Sequence, residues 1–121
     1  MAGPLEGLRI IDMTSVVMGP YATQIMGDMG ADVIKVESRT GDTLRQNGMG
    51  RHPGMGPMFL HMNRSKRSVV LDIKNPDGLA AMKSLLRSAD VFLFNLRPAS
   101  MSRLGLGYET VERDNPRIVY C

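Results

Sequence analysis

The sequence has 121 residues, of which 43% are hydrophobic and 22% charged, the composition of one globular domain rather than a disordered chain. The formal net charge is +3, aromatic residues make up 5% and tryptophan is absent. Aromatic platforms for unpaired bases are therefore scarce, and the mild basic excess reads as solvated surface with no nucleic-acid partner. Cys121 is the one cysteine, which rules out an internal disulfide and a thiolate zinc site. The opening Met1–Gly7 has no apolar signal core, and no apolar run approaches the ~18 residues that span a bilayer. A cytoplasmic protein with no metal and no membrane contact is expected.

Leu8–Met13 reads as a strand. Gly19-Pro20 then opens a helix with proline at its first position, where the missing N–H is harmless. Tyr21, Ala22, Ile25, Met26 and Met29 recur at helical spacing, and Gly30 is suited to end the helix. Asp32–Glu37 is the second strand, completing a β-α-β unit whose strands should be parallel.

Residues 38–65 are broken by Gly41, Gly48, Gly50, Pro53, Gly54, Gly56 and Pro57. They read as a long loop with a short helix near Met58–Met62, and such loops inside a compact domain are usually functional or packed on a partner. The sequence has eleven methionines, and Met18, Met26, Met29, Met49, Met55, Met58 and Met62 crowd its first half. They read as adaptable core filler, with a Met-lined acyl pocket as the alternative.

Ser68–Ile73 is the third strand, and Asn75-Pro76 caps a helix whose buried stripe is Leu79, Met82, Leu85, Leu86 and Ala89. Val91–Phe94 is a buried strand. A short turn or helix follows around Met101–Leu104, then a helix over Tyr108–Asp114 and a fifth strand over Arg117–Cys121. A chain ending on a parallel strand suggests the N-terminal part of a larger protein.

The second strand ends in the acid Glu37, an arrangement that invites a dinucleotide reading, but the first strand-to-helix turn holds Gly19 alone and no G-x-G-x-x-G. Asn95-Leu96-Arg97-Pro98, with Arg103 further on, lies beyond the carboxyl end of the fourth strand. Ligands of open α/β sheets bind there, and two guanidinium groups favour a phosphorylated anion.

Gly27–Glu37, Gly41-Asp42, Asn63–Ser68, Leu71–Lys74, Ala89–Val91, Asn95–Pro98, Arg103–Gly105 and Asn115–Arg117 together resemble the start of the family III CoA-transferases. That family includes formyl-CoA transferase, carnitine CoA-transferase and α-methylacyl-CoA racemase. Each motif is weak alone; their number, order and spacing carry the resemblance along essentially the whole chain.

The resemblance implies an α/β, Rossmann-like, mostly parallel sheet with flanking helices, the first part of a CoA-binding large domain in a longer, interlocked homodimer. It implies acyl-CoA and a carboxylic acid acceptor as substrates, with no metal and no bound cofactor beyond coenzyme A itself. The family's catalytic aspartate falls beyond Cys121, so no catalytic residue is assigned here. Leu71, Ile73 and Lys74 match the loop cradling the adenosine end, Asn95, Leu96 and Arg97 a second contact, and Arg103 a third. Val17 and Met18 match positions near the thioester arm.

The sequence departs from the family pattern in four places. Val17 stands where formyl-CoA transferase has glutamine. Ser38 replaces an arginine, whose charge Arg39 can supply. Phe94 and Ala99 replace the usual glutamate and glycine. Asp12, Asp28, Asp72 and Asp90 read as structural acids, and His52 and His61 as satisfied or solvated. Two rivals accompany the transferase reading: a racemase on the same scaffold, and a non-catalytic CoA-binding fragment.

Overall fold

The computed structural model describes residues 3–121. Five strands, β1 (Arg9–Met13), β2 (Asp32–Glu37), β3 (Lys66–Val70), β4 (Val91–Phe94) and β5 (Val119–Tyr120), form one sheet in the order β3-β2-β1-β4-β5. Every neighbouring pair is parallel. The helices are α1 (Met18–Asp28), α2 (Pro57–Met62), α3 (Pro76–Arg87), α4 (Pro98–Arg103) and α5 (Tyr108–Asp114). This is the Rossmann-like α/β architecture expected from the sequence. The strand order reverses between β1 and β4, the switch point beside which such sheets bind ligands.

Helices cover both faces of the central strands, so those strands are apolar on both sides. Ile10, Ile11, Val33, Ile34 and Val36 are all buried. The larger core lies on one face, where Ile11, Ile34 and Phe92 meet Met82 and Leu86 of α3, Met101 of α4 and Val111 of α5. Full burial of a side chain such as Leu86 contributes about 1.5–3 kcal/mol. Asn115 caps this face by donating to the Leu86 and Ala89 carbonyls at 2.9 and 2.8 Å. The smaller core, Ile10, Ala31 and Val33, packs with Leu5, Met26 and Val91.

Several boundaries move from their expected places. α1 starts at Met18, ahead of Gly19-Pro20, and no side chain caps it. Gly30, at φ 100, follows its end. β3 runs over Lys66–Val70 because Leu71 N–H, bonding Glu37 O at 2.9 Å, reaches the last carbonyl of β2; the chain then turns out of the sheet. β5 shortens to two residues because Asn115-Pro116-Arg117 forms a turn first.

One expectation fails on burial, and α1 buries a face other than its apolar one. The helical spacing in α1 is real, but Tyr21, Ile25 and Met29 are exposed with Met18, and the buried residues are Pro20, Thr23 and Gln24. The inner face of α1 sits over a buried carboxylate, so it needs small and polar groups: Thr23 Oγ1 donates to Asp12 Oδ2 at 2.6 Å. Of the first-half methionines expected as core filler, only Met26 packs against a core cluster. Met18, Met29, Met49, Met55 and Met58 are exposed, whereas Met82 and Met101 fill the core.

Candidate functional site

Six charged side chains meet at the carboxyl ends of β1 and β2 and around the loops that follow. The Asp12 and Lys66 side chains are 0% and 2% exposed and pair at 2.9 Å. Asp12 also accepts from the Thr14 and Thr23 hydroxyls. Burial opposes its charge, but Lys66 and the two hydroxyls overcome that, and its pKa lies below the usual value. Burial likewise lowers Lys66, and Asp12 offsets only part of the effect.

Lys35 projects from β2, pairs with Asp42 Oδ2 at 3.2 Å and donates to Thr14 O at 2.8 Å. Glu37, at the end of β2, takes Arg45 through two donors at 2.7 and 2.6 Å, Ser68 Oγ at 2.6 Å and Asp42 N–H at 3.0 Å. Burial by itself would raise the Glu37 pKa, but these partners reverse the effect and hold it at about 2, well below the usual 4.5.

This network organises the long loop. Asp42 caps a 3-10 turn over Thr43–Gln46, Leu44 is buried, and the Arg45 guanidinium lies 3.8 Å from the Phe59 ring centroid of α2. A Cβ on Gly56 would collide with the carbonyls of Leu44, Asn47 and Arg45, which makes the turn into α2 possible only for glycine.

The network also shapes the loop from β1 to α1. Val16 has φ 73, which costs a β-branched residue about 1–3 kcal/mol and persists only where neighbours impose it. Its N–H bonds both Asp42 carboxylate oxygens, at 3.3 and 3.2 Å. From β4, the Asn95 amide accepts from Ser15 N–H at 3.1 Å and donates to Ser15 O at 2.9 Å.

A cleft of about 350 Å³ opens at this end of the sheet. It is lined by Met13–Ser15 from the end of β1 and its loop, Lys35–Ser38 and Thr40–Thr43 from β2 and its loop, Leu71 and Ile73 after β3, and Leu96 after β4. Three of the sequence-selected residues, Leu71, Ile73 and Leu96, thus come together on one surface. Lys74 follows Ile73 and Arg97 follows Leu96, so both exposed cations start at the rim. Arg39 lies outside the lining and pairs with Asp72 at 3.6 Å, across the Leu71–Ile73 segment. Arg103 is exposed at the far end of α4, roughly 8 Å along its axis from Pro98. Val17 and Met18 do not line the cleft; they follow Ser15 and Val16, with Met18 79% exposed. Asn95 also lies outside the lining, its amide engaged on Ser15.

Sequence reasoning missed Lys35, Asp42, Arg45 and Lys66. A signal existed for one of them: Lys35 interrupts the apolar run of a central strand, where an ammonium group is buried and must have a partner. Asp12, Asp28, Asp72 and Asp90 do serve structural roles. Asp28 holds Arg64 and Ser65, Asp72 accepts Lys74 N–H, and Asp90 accepts Arg9 N–H. His52 and His61 are exposed.

The order and spacing of these segments match a known family: residues 5–121 fit the pattern of CoA-transferase family III. The chain belongs to that family. It is 44% identical over 119 residues to the succinyl-CoA:glutarate CoA-transferase of Mus musculus, covering 98% of this chain and 27% of that protein. It is 40% identical to the succinyl-CoA:mesaconate CoA-transferase of Haloarcula hispanica, covering 98% of this chain and 31% of that one. A solved CAIB/BAIF family protein from Brucella suis superposes with a TM-score of 0.92 at 34% identity, covering all of this chain and 33% of that structure. The chain therefore spans between a quarter and a third of these family members.

Proposed function

We propose that these residues form the first part of the CoA-holding large domain of an acyl-CoA:carboxylate CoA-transferase. The reading is supported above all by one observation. Leu71, Ile73 and Leu96, chosen from separate stretches of sequence, border one cleft beyond the carboxyl ends of parallel strands, and Lys74 and Arg97 start at its rim.

In this reading the apolar residues take the adenosine end, while Lys74, Arg97, Arg103 and Arg39 neutralise the phosphates of CoA. Val17 and Met18 stand beside the thioester arm. An aspartate outside these residues is the nucleophile. Its carboxylate attacks the donor thioester carbonyl, forming a mixed anhydride and releasing CoA thiolate. The thiolate then attacks the aspartyl carbonyl, giving an aspartyl-CoA thioester and the free donor acid. The acceptor acid repeats both steps in reverse order and leaves as the new acyl-CoA. The interlocked homodimer belongs to the same reading.

The test is kinetic. Full-length protein given succinyl-CoA and glutarate should form glutaryl-CoA with ping-pong kinetics. Exchange of an α-proton of an α-methylacyl-CoA with solvent, without CoA transfer, would instead establish the racemase. Arg97→Ala and Arg103→Ala should each raise KM for acyl-CoA about tenfold with kcat little changed, because they contact a part of the substrate that does not react. An unchanged KM in both variants would refute the handle assignment.

A further inference from the structure

The loop from β1 to α1 carries a β-branched residue in a left-handed conformation, and side chains from other segments grip its backbone residue by residue. Lys35 holds Thr14 O at 2.8 Å. Asn95 holds both Ser15 N–H and Ser15 O. Asp42 holds Val16 N–H and is itself fixed by Lys35 at 3.2 Å and Leu44 N–H at 3.0 Å.

We propose that Asp42 and Asn95 are positioning residues of the acyl-CoA site: they keep Val16 left-handed and so set where Val17 and Met18 stand. This rests on the reading that places Val17 and Met18 beside the thioester arm. In this role both side chains act through the loop backbone and not through substrate, which revises the CoA contact expected of Asn95. The Asn95 amide already uses its oxygen and its nitrogen on Ser15, and both Asp42 oxygens face protein donors. The grips come from two directions, β2 with its following loop on one side and the end of β4 on the other. Removing either lets Val16 relax to an ordinary conformation, which swings the residues that follow it.

The consequence is a division of labour around one cleft. Residues that bind the CoA handle act on affinity, and the loop grips act on the reacting end. Displacing a group near the reaction by about 1 Å lowers turnover by up to roughly a hundredfold, while a contact to the remote handle acts on KM.

Asn95→Ala is the primary test, because Asn95 is exposed and its loss opens no cavity. In the full-length enzyme with succinyl-CoA as donor, kcat/KM should fall about tenfold or more, chiefly through kcat. The Kd for adenosine 3′,5′-bisphosphate, which has the handle but no thioester arm, should stay within about twofold of wild type, whereas Arg97→Ala should weaken it. Asp42→Asn should behave like Asn95→Ala; if it fails to fold, Asn95→Ala decides alone. A kcat/KM within about twofold of wild type for Asn95→Ala overturns the proposal. So does a parallel loss of bisphosphate affinity, which makes Asn95 a handle contact. A wild-type enzyme that binds neither acyl-CoA nor the bisphosphate refutes the acyl-CoA reading itself, and the positioning role with it.

Discussion

Lys66 ties three segments together through one ammonium group. Its three donors meet Asp12 Oδ2 at 2.9 Å, Pro20 O at 2.8 Å and Asn63 Oδ1 at 2.9 Å, which satisfies all that a lysine can donate. Lys66→Met leaves the Asp12 carboxylate buried without its cation, and an uncompensated buried charge costs about 3–5 kcal/mol. Urea unfolding of the full-length protein should show a loss of that size, and a loss below about 1 kcal/mol would remove the pair from the account of stability. Asp12→Asn together with Lys66→Met should cost less than the sum of the two single changes, because the stranded charge is then gone. The sequence displays Lys66 within Asn63–Ser68 and marks Asp12 as a structural acid, but gives no hint that the two, 54 positions apart, are partners. Partners that distant become visible only once the sheet register brings β3 beside β2 and β2 beside β1.

The segment between β2 and α2 shows how an element with no periodicity of its own acquires order. Its glycines and prolines mark it as a loop, and the short helix at its end was legible from Pro57 onward. What holds it down was not, because Glu37 reads as an ordinary strand-end acid until Arg45, Ser68 and Asp42 N–H converge on it. The convergence has a pH signature. A carboxylate whose pKa falls from 4.5 to about 2 on folding adds stability above the unfolded value and loses it as pH drops towards the folded one. Wild-type protein should therefore lose on the order of 3 kcal/mol between about pH 5 and pH 2 from this group alone. Glu37→Gln should unfold more readily at pH 7 and show a shallower decline over that interval, measured by chemical denaturation at each pH. An identical pH profile in the two proteins would exclude Glu37 as the source.

At the scale of the whole molecule, the five strands and the β-α-β unit were readable because apolar runs, Asn75-Pro76 and Gly30 are local signals, whereas the order of the strands in the sheet was not. Burial was harder to read. The spacing of Tyr21, Ile25 and Met29 correctly marks a helix, but periodicity does not say which face turns inward. The methionines divide in the same way. Met82→Ala in the core of α3 should cost about 2–5 kcal/mol, whereas Met49→Ala, at a side chain 98% exposed, should leave the melting midpoint almost unchanged, within about ±0.5 kcal/mol. Thermal unfolding of the two variants separates core methionine from surface methionine directly.

The Asn95–Ser15 bridge also sets the order in which the site can form. Its partners are 80 residues apart in the chain, while Asp42 and Val16 are 26 apart. Contacts across long separations are made late, after the loop-closure entropy has been met by strand pairing. Val16 can thus be drawn into its left-handed state from the β2 side early, but the loop reaches its final shape only when β4 docks on β1. During synthesis, the β1-to-α1 side of the cleft stays unset until Asn95 has left the ribosome, well after the β1-α1-β2 unit is complete.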